Sequence, residues 1–577
     1  MAIDAKQDIQ DVRIPFIGNF LTRITQDPPV YNETADYRTD QYFLNGLFWA
    51  IENPITGKKT TYLTKRPGIS VFLTSITNFL PSGYKGALTI RRSDSTIFAA
   101  GATGLYRSGS SPMTKIADIN SSTTTFPQFA ETRPSATTPY TCLNTGVELA
   151  IIDASNNVTI LKDIDIVSVS AANPAVVTTA TAHGLTTGTY TMLKGVAGST
   201  PDVNDTRYQV TVTGPTTFTI PVNVSIAGTG GNLGNFPANT GSLIYMNGYL
   251  YIITPDGRIY NCDFDDPFNW DPTRFITAQM YAGTWYALAR QNNFLLAFSS
   301  NAIQTFTDEA NETGSPLQNY ESGVQQIGSI SGSSLVTDGS DILWVGTTST
   351  GQQTVYRMNG LTSPREVAPT PVKNLLNNYN FSVQSAFFFR VSGKNLYIIF
   401  GSLAAGAPTI IPLLVYDIDL DLWCGWNTNT GTFEFTAAAF ISNDDTGYFL
   451  TRRGEICKVL TSLPQDYTTP YTNPVPIAVP FTFEVQTERI DFGTMRRKFV
   501  QRLELVCDIS PATANVQVSY CDDDNITFST ARNLDTSQVR PYLSLGGNFR
   551  RRRYKFSYTG DQPQRWEAFE LFFRLGH

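Results

Sequence analysis

Histidine is almost absent from this chain of 577 residues, where only His183 and His577 occur. Most hydrolytic triads and most transition-metal sites lean on imidazole, so that chemistry is largely excluded. His183 lies in Ala182-His-Gly-Leu185 with no cysteine or second histidine beside it, and reads as a turn residue bonding to backbone. Six cysteines, at 142, 262, 424, 457, 507 and 521, are scattered without metal-ligand spacing and read as free buried thiols. The densest acidic run, Asp522-Asp-Asp-Asn525, lacks the further oxygen ligands and closing glutamate of a calcium loop. It follows an Asp-box-like turn pattern, with Asp523 at the Asp place, Asn525 at the glycine place and Thr527-Phe528 at the Thr-Trp place. Asparagine is among the few residues that tolerate positive φ there, and such turns staple hairpins. No Walker loop, Rossmann fingerprint or nucleophile elbow occurs. The expectation is a chain with no catalytic residues, no metal and no cofactor.

What remains is charge. Arg550, Arg551, Arg552 and Arg553 form the sharpest cluster in a chain of which only 16% is charged. Alternation along a strand would put Arg550 and Arg552 on one face with Tyr554. The run reads either as a patch docking onto an acidic partner or nucleic-acid phosphate, or as a solvated strand guarding a sheet edge. Its density in so uncharged a chain favours an interface, and Arg496, Arg497 and Lys498, with Arg502, extend the same surface. Trp423-Cys-Gly-Trp426 offers a possible sugar platform, although a tryptophan closing a sheet is the simpler reading.

The elements that must position these residues are strands. Aromatic residues make up 12% of the chain, arginine outnumbers lysine 29 to 13, and Thr, Ser, Tyr and Phe are abundant. Such a composition favours β structure over helix. A hairpin recurs: Thr96–Ala100, Leu149–Asp153, Tyr249–Ile253, Phe294–Phe298, Ile342–Val345, Leu396–Phe400 and Gly447–Leu450 each follow or precede turn residues such as Asn247-Gly248, Asp338-Gly339 and Ser392-Gly393. From Leu250 through Leu295, Leu343 and Leu396 to Phe449 the steps are 45, 48, 53 and 53 residues. Four strands per step of that length describe propeller blades, six or seven of them; a two-sheet sandwich also repeats its strands, but the longer period favours the propeller. A gap of 99 residues between Ile151 and Leu250 is about twice a blade, so a small β module is inserted there. After Pro480 the texture changes again: residues 489–577 carry 14 basic and 10 acidic side chains, leaving the preceding 488 at −11.

The expected architecture is therefore mostly β: a propeller with an inserted small β module and a C-terminal antiparallel β domain. Its divisions are an N-terminal arm or platform segment (1–80), first blades (81–163), inserted module and linker (164–235), remaining blades (236–480) and a basic β domain (481–577). The 21 uncharged residues from Leu396 to Tyr416 are long enough for a membrane helix, but Pro408, Pro412 and two glycines favour strand–loop–strand. The opening residues lack the basic-then-apolar layout of a secretory signal. A net charge of −7 argues against a general nucleic-acid coat.

Several motifs, in order, carry a resemblance. They are Lys65-Arg-Pro-Gly-Ile69, the strand–turn–strand Phe294–Phe306, Val324-Gln-Gln-Ile-Gly328 leading to Asp341–Gly346 and Gln353–Arg357, and Leu414-Val-Tyr-Asp417 before the tryptophan pair. Together they resemble the tail hub, or nozzle, proteins of short-tailed bacteriophages, also called packaged-DNA stabilisation or tail tube proteins. The stretch Thr178–Ile220 separately resembles small β modules found inside phage tail proteins. The first resemblance implies a structural virion protein made in the host cytoplasm. It implies a homohexameric ring below the portal and its adaptor (head-to-tail connector) ring, which continues the DNA channel, retains the genome and allows its ejection. Duplex DNA would pass through the lumen without sequence-specific binding, and outer surfaces would carry tail fibres or spikes. The competing reading is a glycan-binding or glycan-hydrolysing propeller, suggested by the Asp-box-like turn and the aromatics.

Overall fold

The computed structural model describes residues 10–16, 42–52, 59–133, 138–188, 190–234, 236–311, 314–348, 350–378, 382–402, 413–427, 435–441, 446–468, 477–522, 527–544 and 546–576. Among these the only α-helix is Thr370–Asn378, and strands dominate the rest. Five separate four-stranded antiparallel sheets span residues 87–118, 128–162, 244–277, 285–319 and 336–366. Two more meanders belong to larger sheets. One comprises Ser382–Val391, Lys394–Ser402, Leu413–Asp417 and Leu422–Trp426; the other begins with Phe435–Ile441, Thr446–Thr451 and Ile456–Leu460. Innermost strands adjoin in cyclic order, and the last, Phe435–Ile441, packs against the first, Ala87–Ile90. The result is a seven-bladed β-propeller, within the six or seven expected from the repeat.

Local turn chemistry explains why the chain folds into these meanders. Asn247 and Gly248 have φ of 51° and 90°, and Ser392 and Gly393 have 51° and 72°, the left-handed values a tight hairpin needs. The uncharged stretch around 396–416 pairs as antiparallel strands, Leu396 opposite Asp417 and Ile399 opposite Leu414. No helix among the described residues is long and apolar enough to cross a membrane.

Closure of the ring is not local. The fourth strand of the seventh blade is Gly68–Leu73, antiparallel to Ile456–Leu460 with Ile69 opposite Val459. A strand that precedes the first blade thus completes the last. At its start a β-carbon on Gly68 would lie 1.8 Å from the Gln465 carbonyl oxygen, so only glycine fits. Just before it, Arg66 is fully buried and forks onto Asp466 at 2.9 and 2.7 Å. Its other donors reach Asn45 Oδ1 and the carbonyls of Pro67 and Asn427, and its guanidinium lies 3.7 Å from the Phe481 ring centroid. One side chain therefore ties together the arm, blades six and seven, and the start of the C-terminal domain.

The C-terminal domain is welded to the sixth blade. Tyr42–Leu44 runs parallel beside Leu422–Trp426, then Thr482–Gln486, Arg552–Thr559, Asn515–Asp522 and Arg532–Asp535 continue the same sheet. A second sheet holds Gly46–Glu52, Lys59–Lys65, Arg565–Leu575, Lys498–Cys507 and Tyr542–Ser544, with Gln10–Pro15 along Arg565–Leu575. Aromatic side chains fill the space between the two: Phe483 lies 4.3 Å from Trp566 and Phe556 5.1 Å from Phe569. Each such side chain stabilises the fold by about 1.5–3 kcal/mol. The same apolar cluster continues into blades six and seven through Phe389, Phe435 and Phe449.

The insert folds around its own core. Val169, Val177, Leu193, Phe218, Ile220 and Leu233 are buried together, and the sheet built on Ala175–Thr179 and Thr217–Ile220 shares no strand with the propeller. Its ends close on each other, Leu233 N–H donating to the Ile164 carbonyl at 3.0 Å. It rests on the third blade through Lys194 Nζ, 2.6 Å from the Tyr260 hydroxyl.

Candidate functional site

The structure brings the two basic segments together through a buried lysine. Lys498 opens the strand Lys498–Cys507 opposite Phe549 and is wholly inaccessible. Its ammonium donates to the Arg550 carbonyl at 2.7 Å and to the Thr494 carbonyl. It thereby staples the turn carrying Arg496 and Arg497 to the bend carrying Arg550 and Arg551. Arg496, Arg497 and Arg550 are exposed and Arg551 is half-buried. Arg496 is steadied by a 2.8 Å bond from Nε to the Gly576 carbonyl. Between them two apolar side chains stand in solvent, Met495 at 57% and Phe499 at 45% exposure.

Arg552 departs from the expectation of a surface cluster. It is only 1% exposed, and its guanidinium forks onto Asp522 at 2.5 and 2.8 Å. It also donates to the Gly546 carbonyl and stacks 3.8 Å from the Tyr520 ring and 4.4 Å from Phe549. Burial disfavours its charge, but Asp522 and Tyr554 outweigh that and hold the group above its ordinary value. Tyr554 itself is pushed up to about 12 by burial. Arg552 and Tyr554 do share the inward face, as alternation requires. Arg550 does not join them, because the strand begins at Arg552 and a bend precedes it. Arg553 is 9% exposed, so it and Lys498 also lie largely beneath the surface.

The other sequence candidates prove structural. His183 accepts from Leu185 N–H at Nδ1 and sits 3.0 Å from the Gly214 carbonyl through Nε2, the backbone-bonded turn residue expected. The acceptor role of Nδ1 leaves the ring proton on Nε2. Trp423 and Trp426 are buried, their indoles donating to the carbonyls of Val367 and Gly46, so neither offers a sugar platform. All six cysteines are unbridged thiols, and five are buried. Of the Asp-box-like turn, Asp523 and Asn525 lie outside the described residues; Thr527 is exposed, and the Phe528 ring lies 5.8 Å from Lys555 Nζ. No group of three or more His, Cys, Asp or Glu able to hold a metal occurs among the described residues.

The basic face sets exposed arginine beside exposed methionine and phenylalanine. Met495 and Phe499 escaped the sequence reading because nothing in an alternating pattern marks which apolar residue is left uncovered. Asp522, as the partner of Arg552, was legible only as part of an acidic run.

Residues 235–399, which hold the third to fifth blades and part of the sixth, match the phage stabilisation family described as bacteriophage P22 Gp10, beta-propeller. No curated protein matches the chain. Among solved structures, the N-terminal domain of Nup159 aligns at 12% identity with a TM-score of 0.35, covering 72% of this chain and 98% of that one. Virginiamycin B lyase from Staphylococcus aureus aligns at 9% and 0.35, covering 68% and 99%. BamB from Moraxella catarrhalis aligns at 12% and 0.32, covering 67% and 97%. The family match falls on the blades that carry most of the ordered motifs noted in the sequence, and this stretch of the chain is similar to that phage stabilisation family.

Proposed function

We propose that this protein forms the tail hub or nozzle, a six-fold ring below the portal and its adaptor ring. In this reading it continues the DNA channel, retains the packaged genome until ejection and carries fibres or spikes on its outer surface. The observation that carries the reading is the family match over residues 235–399. Electrostatics agree with it: a conduit must let duplex slide, so an acidic lumen suits it, and basic residues are better placed at protein joints. We assign the −11 portion, residues 1–488, a share of the channel wall, and the face around Arg496, Arg497, Arg550 and Arg551 to a joint with a neighbouring subunit or the adaptor. The chain has no catalytic role in this scheme. We divide it as arm (1–80), first blades (81–163), inserted module (164–235), remaining blades (236–480) and basic β domain (481–577), the last set against the neighbouring ring.

Replacing Arg496, Arg497, Arg550 and Arg551 by Ser tests the joint. Arg552 is left in place because it is structural. The expected result is a folded protein with an unchanged melting temperature that no longer enters particles, whose heads then lose DNA. Normal particle yield and genome retention would remove the joint assignment.

A further inference from the structure

The propeller's axis encloses a cavity of about 1150 Å³. That is slightly above the ~300–1,000 Å³ of small-molecule sites. Five basic side chains, Lys85, Arg92, Arg133, Arg290 and Arg390, line it against two carboxylates, Glu131 and Asp338, while Arg91 in the same wall is buried and forked onto Asp94. This positive excess sits inside a chain of net charge −7.

Blade topology concentrates the charge at one end. Four antiparallel strands return the chain to its starting side, so every innermost strand runs in the same direction. Arg290 and Arg390 are next to last in Trp285–Gln291 and Ser382–Val391; Arg92 and Arg133 lie two residues beyond Ala87–Ile90 and Gln128–Glu131. All four arrive at the same mouth, each from a different blade. Two are partly balanced there: Arg92 Nε lies 3.7 Å from Glu131 and Arg390 Nη2 4.0 Å from Asp338. Arg290 is steadied by bonds from Nε to the Asn292 carbonyl at 2.9 Å and from Nη1 to the Tyr245 carbonyl at 3.1 Å, and Arg133 is exposed. Neither of these two has a carboxylate within ion-pair distance among the described residues. Deeper in, Ser385, Ala386, Ala437 and Ala439 keep the wall short and the space open.

We propose that this mouth receives an acidic peptide segment of a partner protein, with its carboxylates held by Arg92, Arg133, Arg290 and Arg390. Arginines spread over four blades are too dispersed for one small anion, whereas an extended chain with several carboxylates can meet them in turn. Each guanidinium presents the planar fork that suits a carboxylate. A low-dielectric wall around like charges focuses the field on an incoming anionic segment. The inference stands apart from the tail reading, because it concerns the propeller axis and not the joint on the C-terminal domain.

The test is fluorescence anisotropy of the full chain with a labelled ten-residue peptide of alternating glutamate and glycine, in low salt. A labelled ten-nucleotide oligo(dT) serves as the competing polyanion. Two channel variants are used, Arg92→Ser with Arg133→Ser at exposed positions, and Arg133→Ser with Arg290→Gln; thermal melts check that each folds. Lys115→Ser with Lys162→Ser, exposed on the outermost strands of the first two blades, is the distant control. The expected result is peptide binding that weakens at least tenfold in both channel variants, fades with added salt and is unchanged in the control. No binding by the wild-type chain would overturn the proposal. So would tighter binding of oligo(dT) than of the peptide, or loss of peptide binding in the control variant alone.

Discussion

A buried arginine and its exposed neighbours in one run of four behave as different residues, and stability measurements separate them. Arg552→Met deprives the part-buried Asp522 of its partner, which costs about 1–3 kcal/mol. Arg550→Ser and Arg551→Ser remove surface charge and change stability by less than about 0.5 kcal/mol. Urea denaturation of the three single variants checks the contrast; equal effects would mean that the Arg552 fork contributes nothing. Lys65 gives a second prediction at this scale. Burial and the adjacent Arg66 guanidinium hold its ammonium down to about 7, with Gly560 O at 2.5 Å and the Phe481 ring 4.4 Å away. The folded state therefore prefers the neutral amine, while the unfolded chain keeps its proton up to the ordinary lysine range. Stability gained from this residue rises with pH above about 7 and is flat below it, amounting to about 1 kcal/mol between pH 7 and 8. The buried thiols, pushed up by desolvation, act in the opposite sense at higher pH, so the window is kept below their ordinary range. Comparing urea midpoints of the wild type and Lys65→Met at pH 7 and 8 isolates the effect, and the variant should lack the rise. An identical rise in both would assign it elsewhere.

At the scale of elements, the closing strand is the point of greatest leverage. Gly68→Val forces a side chain into the Gln465 carbonyl and should detach Gly68–Leu73 from Ile456–Leu460. Hydrogen exchange should then show lost protection in the seventh blade, while the second to fifth blades keep theirs; unchanged exchange there would contradict the closure. The insert offers the converse. Because it has its own core and its ends meet at Ile164 and Leu233, deleting residues 165–232 with a short glycine bridge should leave the propeller's cooperative melt in place. A collapse of that melt would mean that the Lys194–Tyr260 contact holds up the third blade. These two elements also mark what sequence alone could tell. Hairpin recurrence revealed the blades, since each is local and its turns carry Asn-Gly or Ser-Gly at positive φ. The insert showed as an excess in spacing for the same reason. The ring closure did not show, because Gly68–Leu73 pairs with a strand almost four hundred residues away and has no adjoining hairpin to announce it. The union of arm and C-terminal domain, Tyr42–Leu44 between Leu422–Trp426 and Thr482–Gln486, was hidden by the same distance. The basic face was half legible: charge density pointed to the two segments, but only the three-dimensional pairing of Lys498 with Arg550 shows that they adjoin and that Arg552 lies beneath.

For the whole molecule, the continuous core from the seventh blade through the C-terminal sandwich has a mechanical meaning. Among the described residues, sheets shared across the boundary and the Arg66 clasp join the propeller directly to the C-terminal domain that bears the basic face, so force on one is carried to the other. The proposed ring, which would retain a genome and then release it, calls for subunits of this kind, joined by surfaces and not by hinges. The central claim is that many copies close into such a ring. Electron microscopy of a tagged copy, recovered with its partners from cells producing the phage, tests it most directly. Closed six-fold rings with an axial hole, free or stacked on the connector, are the predicted result; isolated propellers with no ring and no virion partners would contradict it.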